Sequence, residues 1–172
     1  MKFIAIASSV LMLTFLSGQS FAASPLGYQP NDLAKLQKTG VCEHCDLSGV
    51  SVNFDSKFNE KPLDIAGSNF ANSGISSLIN REHQNSNFSG IIGTKSALYN
   101  LGLSGSSFKN ALLLNSDFTY SNLSNTDFTG ANVSGANFDN TTLVGSNISE
   151  SQLKTVKSYC DAIMPDGSIH KC

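Results

Sequence analysis

Four cysteines and three histidines are the residues of this 172-residue chain best suited to chemistry. Cys42-Glu43-His44-Cys45 has the Cys-X-X-Cys spacing of thiol–disulfide exchange, in which one thiolate attacks and its neighbour resolves. The same spacing serves a structural disulfide or half of a zinc site. Haem attachment needs His directly after the second cysteine, and Asp46 stands there. Redox enzymes of this type carry the motif at a helix N-terminus. Here it follows a helical pattern and leads into a non-helical stretch, so a structural disulfide is favoured. A redox pair made of Cys42 and Cys45 is the alternative. Cys160 and Cys172 flank Pro165-Asp166-Gly167, a turn signal between Ile163-Met164 and Ser168-Ile169 that predicts a terminal hairpin. No nucleophilic triad, phosphate loop or helix-borne metal motif accompanies these residues. The expectation is a non-enzyme without catalytic, cofactor-binding or metal-ligating residues and without a cofactor.

The element that positions everything else is a five-residue beat. From Phe88 in steps of five to Leu153, thirteen of fourteen positions are apolar, Gly93 being the exception. Chance would give about six. Two residues earlier a second beat runs from Ser86 to Ser151, and twelve of those fourteen are Ser, Ala or Thr. The position between the beats is Asn or Asp in half of the units. A helix repeats its apolar face every 3.6 residues and a strand every 2, so neither accounts for five. The chain must turn a corner once per unit, with one large and one small residue inward. Such a unit cannot bury its apolar residue alone, but stacked coils can, by building a column of Leu and Phe.

This pattern resembles the pentapeptide-repeat family, whose consensus reads roughly Ala-(Asp/Asn)-Leu-X-X. Thr126-Asp127-Phe128-Thr129-Gly130-Ala131-Asn132-Val133-Ser134-Gly135-Ala136-Asn137-Phe138 carries the likeness. The resemblance implies an all-β fold: a right-handed, quadrilateral, parallel β-helix of four units per coil. The regular match covers residues 86–155, and a weaker one reaches back to Cys45. Cys45-Asp46-Leu47-Ser48-Gly49 reads as a first unit, and Ile65, Phe70 and Ile75 share a register of their own. The step from Ile75 to Leu78 is a slip. His83 falls on an inward position in the charged stretch Arg81-Glu82-His83, and is read as part of a solvent loop between Asn80 and Asn85. Residues 55–62 also read as a loop, since Pro62 cannot donate to a ladder.

The ends complete the division of the chain. Residues 1–22 read as a signal peptide: Lys2, an apolar run from Phe3 to Leu16, and Ser20-Phe21-Ala22 before cleavage at Ala23. Leu16-Ser17-Gly18 resembles the start of a lipoprotein box, but Gln19 replaces the cysteine. The expected product is exported and unlipidated, periplasmic or secreted. Residues 23–44 form an N-terminal segment with a short capping helix: Asn31 as N-cap, Leu33 and Leu36 on the buried side, Gly40 as the stop. Residues 45–158 are the solenoid and residues 159–172 the C-terminal cap. Caps are needed because open strand edges invite aggregation. In an exported chain four cysteines read as two local disulfides, Cys42–Cys45 and Cys160–Cys172. About five coils at about 4.8 Å put the two pairs about 25 Å apart, too far for a shared metal or a front-to-back bridge.

Composition narrows the function. The formal charge of −2 becomes −3 once Lys2 leaves with the signal peptide, and charged residues make up only 14%. Without Lys/Arg clustering, a nucleic-acid partner is not expected. No stretch after the signal peptide is apolar enough to insert in a membrane. Ile92 and Leu112 occupy equivalent outward positions in adjacent coils, with Leu114 beside them, a candidate surface for a protein partner or a second copy. Tyr99 and Tyr120 lie on another side. Asp117, Asp127 and Asp139 read as solvated or turn-bonding residues on different sides of the coil. The reading is a non-enzymatic exported binding or structural module that presents its faces to a macromolecule. A redox protein using Cys42 and Cys45 is one alternative. A DNA-mimicking, gyrase-binding protein, as in cytoplasmic relatives, is another, but it needs a dense acidic face that this chain lacks. Threonines do not recur at coil spacing, against ice binding.

Overall fold

The structure is a computed structural model that describes residues 28–53, 62–76 and 81–172. Residues 1–22, read above as a signal peptide, Leu78, and all but Pro62 of the stretch 55–62 read as a loop lie outside the described residues. The main body is a parallel solenoid. Its ladders step from coil to coil, as in Asn87↔Ser107↔Asp127 and Ile92↔Leu112↔Asn132. Coils three to five begin at residues 87, 107 and 127. Their ladder partners lie twenty residues apart, which is four pentads and four sides per coil.

Coils one and two are longer. Val41↔Asp64 and Asp64↔Asn87 are twenty-three residues apart. The two short pairings locate the excess. β1 (Ser51–Asn53) pairs with β2 (Gly74–Ser76) at twenty-three, whereas β3 (Arg81–Glu82) pairs with β4 (Leu101–Gly102) at twenty. Three extra residues therefore enter between Asn53 and Asp64, and three more between Ser76 and Arg81. The slip in the sequence after Ile75 is this second insertion. Once it has been absorbed, the next inward position is His83.

His83 is accordingly not in a solvent loop. It is fully buried, below Leu103, Leu123 and Leu143 on the fourth side. Its N–H donates to the Gly102 carbonyl at 2.7 Å, and the Ser86 hydroxyl donates to its carbonyl at 2.7 Å. The charge of Arg81-Glu82 suggested solvent, but the ladder with β4 holds this stretch in the coil.

Each beat has a physical cause in the coil. The large inward residues form aromatic columns. Phe88, Phe108 and Phe128 stack at 4.8 and 5.4 Å, and Phe118 stacks on Phe138 at 5.1 Å. Phe108 also meets Phe118 edge-on at 5.6 Å, tying two columns together. The small inward residues are buried, and most of the polar ones bond backbone; Ser96 donates to the Ser116 hydroxyl at 3.3 Å, and the Ser146 hydroxyl has no hydrogen-bond partner. Ser116 and Ser121 donate to the Gly93 and Leu98 carbonyls at 2.7 Å, and Thr126 to Leu123 at 2.7 Å. A hydroxyl therefore fits where Ala fits, because its desolvation is repaid. Asn or Asp between the beats accepts from the backbone N–H two residues on, as Asp117 does from Thr119 at 3.0 Å and Asn122 from Ser124 at 3.1 Å.

A third beat sets the corners. Residues 90, 95, 100, 105, 110, 115, 120, 125, 130, 135, 140 and 145 all have φ between 56° and 71°. All but Asn100 are the third residue of a turn closed by an i+3 bond, such as Ser116 N–H to Leu113 O; after Asn100, Leu101 N–H donates to the Ser121 hydroxyl at 3.0 Å instead. The preceding residue has negative φ, so these are type II turns, and they favour Gly or Asn. Gly105 shows how tight the stacking is: a Cβ there would collide with Oδ1 of Asn85 in the coil before.

The ends are closed differently. At the front, α1 (Pro30–Thr39) starts with Pro30 at N1 and Gln29 as N-cap, not at Asn31. Proline's fixed φ suits N1, which places Asn31 inside the first turn. Gly40 ends the helix at φ 74°, as its position suggested. Leu36 is buried, Leu33 packs on the core, and Asp32 Oδ2 accepts from Asp46 N–H at 2.9 Å. The helix is thus pinned over the first coil's edge.

At the back, the pentad around Ser151 does not stay in the coil. α2 (Glu150–Leu153) is a helical turn with a Ser149/Gln152 capping box. Gln152 Nε2 donates to the Phe128 and Ala131 carbonyls at 2.8 and 2.9 Å, replacing ladder bonds that α2 cannot make. One extra residue enters here, so Asn137↔Ser158 and Thr142↔Ile163 are twenty-one apart. The expected hairpin follows: Ile163↔Ile169 is antiparallel, and Gly167 turns at φ 86°.

Candidate functional site

The Cys-X-X-Cys motif lies at the first corner of coil one. Cys42 and Cys45 form a disulfide with Cα atoms 5.6 Å apart, and both residues are buried. His44, between them, takes φ 53° at the corner and is exposed, its ring lying across Gly67 of the next coil. Asp32, Cys42 and Cys45 bring three potential donor atoms within 4.8 Å. With the sulfurs bonded to each other and the Asp32 carboxylate accepting from Asp46 N–H, this group staples the front cap.

The second disulfide, Cys160–Cys172, has a Cα separation of 5.5 Å and ties the chain's end to coil six. Asp139 supports it. Its Oδ1 accepts from Cys160 N–H at 2.7 Å and also from the Ser158 hydroxyl. Tyr159 and His170 pack with ring centroids 4.1 Å apart beside it. The three histidines thus lie at the front corner, in the interior of coil two and in the back cap.

The carboxylates are structural as well. Asp117 lies on the third side, and Asp139, two residues past Asn137, the ladder partner of Asp117, stands at the corner after that side. Asp127 lies on the first side. Hydrogen bonds from Thr129 and Asn147 hold its pKa down at about 2. Asn147 Nδ2 reaches Oδ1 of Asp127 at 2.7 Å, and Thr129 N–H reaches the same oxygen at 2.8 Å.

Two surface features remain. On the second side Ile92 is exposed and pairs with Leu112 of the next coil; Leu112 and Leu114 are half-buried. Asn69 and Asn132 continue that ladder before and after, so the apolar stretch is bounded along the ladder by amides. At the corner after the third side, Tyr99 and Tyr120 are 49% and 66% exposed. Sequence reasoning placed this pair on another side but missed its backbone. Tyr120 stands on the Gly/Asn corner beat, a signal readable from Asn100 and Asn140 twenty residues away on either side. Among the described residues, no helix is long and apolar enough to cross a membrane.

Comparison with known proteins agrees with the coil. Pentapeptide repeats match in eight copies over residues 103–135 and 121–157. No curated relative matches the chain. Among solved structures, the chain is similar to HetL, a pentapeptide repeat protein from the cyanobacterium Nostoc, described as involved in heterocyst differentiation regulation. Identity there is 17% with a TM-score of 0.45, over 70% of this chain and 67% of HetL. A pentapeptide repeat protein of the Arabidopsis thaliana thylakoid lumen is 22% identical with a TM-score of 0.41, over 68% and 74%. Rfr23 from the cyanobacterium Cyanothece is 22% identical with a TM-score of 0.32, over 70% and 95%. With eight repeats matched over residues 103–157 and the interior columns there built from those same residues, this stretch of the chain is made of pentapeptide repeats.

Proposed function

We propose that this protein is a non-enzymatic binding or structural module that acts after export and presents its second side to a macromolecular partner or a second copy. The observation that carries the reading is Ile92 paired with Leu112 across two coils, with Leu114 two residues further on, along a ladder otherwise made of polar residues. Elsewhere the outward positions are mostly Asn, Asp, Ser and Thr, which bond their own backbone and offer little to a reaction. Disulfides at both ends suit an oxidising compartment. Removal of residues 1–22 belongs to the same proposal and is read by the N-terminal mass of the secreted protein. The interface is tested by size exclusion with light scattering, and by photo-crosslinking from position 114, on wild type and Leu112→Asp. The reading expects an assembly or crosslink that Leu112→Asp abolishes. An identical result for the two proteins overturns it.

A further inference from the structure

The geometry points to a second recognition site, a shallow glycan-binding corner formed by Tyr99 and Tyr120 with Asp117 and Asn122, whose ligand is a neutral polysaccharide.

The first argument is the backbone at Tyr120. Its φ is 61°, in the left-handed region where a Cβ crowds the following carbonyl. The same corner one coil earlier and one coil later is Asn100 and Asn140, each at φ 56°. Asn tolerates that conformation and Tyr does not favour it. Buried area does not repay the difference, since Tyr120 is 66% exposed, the most exposed large apolar residue among those described. A disfavoured residue whose ring stays in solvent has a use outside the fold.

The second argument is what surrounds the ring. Tyr99, 49% exposed, stands at the same corner in the preceding coil, about 4.8 Å away along the axis. Asn100 N–H donates to Thr119 O at 2.8 Å, which fixes the two corners against each other. On the two sides that meet at this corner, Asp117 and Asn122 are already anchored. Asp117 Oδ1 accepts from Thr119 N–H at 3.0 Å, and Asn122 Oδ1 from Ser124 N–H at 3.1 Å and the Ser124 hydroxyl at 2.7 Å. Asp117 keeps its other oxygen as an acceptor, and Asn122 keeps its amide N–H groups as donors. Groups held in advance lose little rotamer freedom on binding.

This combination matches a sugar and disfavours other ligands. A pyranose offers C–H bonds on one face, which pack on the electron-rich face of an aromatic ring. It offers hydroxyls at its rim, each needing a donor or acceptor such as Asn122 and Asp117 supply. No Lys or Arg occupies an outward position of this corner in coils three and four, and Asp117 is acidic, so nucleic acids and phosphates are disfavoured. The flanking positions are Ala97, Asn100, Thr119, Asn122 and Asn140, without the apolar core that a protein interface needs. The site lies on a different side from Ile92 and Leu112, so its success or failure is independent of the proposed function.

The test is native affinity electrophoresis of the disulfide-intact protein in gels cast with dextran, laminarin or glucomannan, with melting temperatures measured in parallel. The variants are Tyr120→Asn and Tyr99→Thr, which copy the residues of the adjacent coils and so preserve the corner. Wild type is expected to be retarded by at least one of the three polysaccharides. Each variant should lose retardation at least tenfold in effective affinity, and the melting temperature of Tyr120→Asn should be unchanged or higher. Three outcomes overturn the proposal: no retardation of wild type by any of the three, equal retardation of Tyr120→Asn, or a melting temperature several degrees lower for Tyr120→Asn, which would make the ring a packing element.

Discussion

Replacing Phe108 by Ala tests the interior directly. Its ring is fully buried, stacked between Phe88 at 4.8 Å and Phe128 at 5.4 Å, with Phe118 edge-on at 5.6 Å. Truncating a buried Phe costs about 3–5 kcal/mol from transfer and cavity together. Each aromatic pair adds about 0.5–1.5 kcal/mol beyond area, and three pairs are lost, which places Phe108→Ala near the top of that range, at about 5 kcal/mol. Collapse offers little relief, because the backbone on either side is held by Phe108 N–H to Asp127 O at 2.8 Å and Ser107 N–H to Ser86 O at 2.9 Å. Phe108→Leu keeps most of the volume, and Leu fills this inward position at Leu98, Leu113 and Leu123, so its cost should be about 1.5 kcal/mol. Urea unfolding followed by far-ultraviolet circular dichroism suits a chain with no Trp. Coils contact only their neighbours, so Phe108→Ala should also lower the m-value as coils four and five uncouple. A cost below about 1 kcal/mol for Phe108→Ala would refute the stacked-column reasoning.

Asp127 should titrate at about pH 2 against an ordinary 3.8, and Asn147→Ala should move it back toward 3.8 by carbon-detected NMR. Its folded pKa is depressed, so its contribution is present above 3.8 and lost as pH falls toward 2; solvent screening keeps it below about 1 kcal/mol. Opening the Cys160–Cys172 bridge by the double substitution to Ser should cost about 3 kcal/mol, because the unfolded chain regains the freedom that the cross-link removes. The loss should show as fast amide exchange confined to the back cap, with coils three to five unchanged.

How far the sequence carried depended on which physics each residue recorded. The inward beats were legible because burial repeats without exception from Phe108 to Ile148, and no helix or strand period competes with five. The corner beat was equally present as Gly130, Gly135, Asn140 and Gly145, but it reports backbone sign rather than hydropathy, so apolar periodicity does not reveal it. His83 was misplaced because local charge outweighed phase. Its inward position follows only when the three-residue insertion before Arg81 is known, and ladder pairing rather than composition fixes that. α2 escaped because Leu153 keeps the inward beat while the backbone around it turns helical, its strand bonds replaced by Gln152. The helix start moved from Asn31 to Gln29 because Pro30 determines N1 more strongly than Asn determines a cap. The apolar patch was legible as an equivalence of Ile92 and Leu112. The tyrosine corner was half legible: exposure could be read, but the backbone strain at Tyr120 needed the turn.

The central claim is that coils are interchangeable units of four pentads. Deleting residues 107–126 joins Ser106 to Asp127 and removes one whole coil, so each remaining side meets its counterpart. Deleting residues 107–121 removes three pentads and rotates every later column by one side. Cooperative urea unfolding of both variants decides between the accounts. The coil account predicts a sharp transition for the first and none for the second. Two equally cooperative proteins, or two equally unfolded ones, would contradict it.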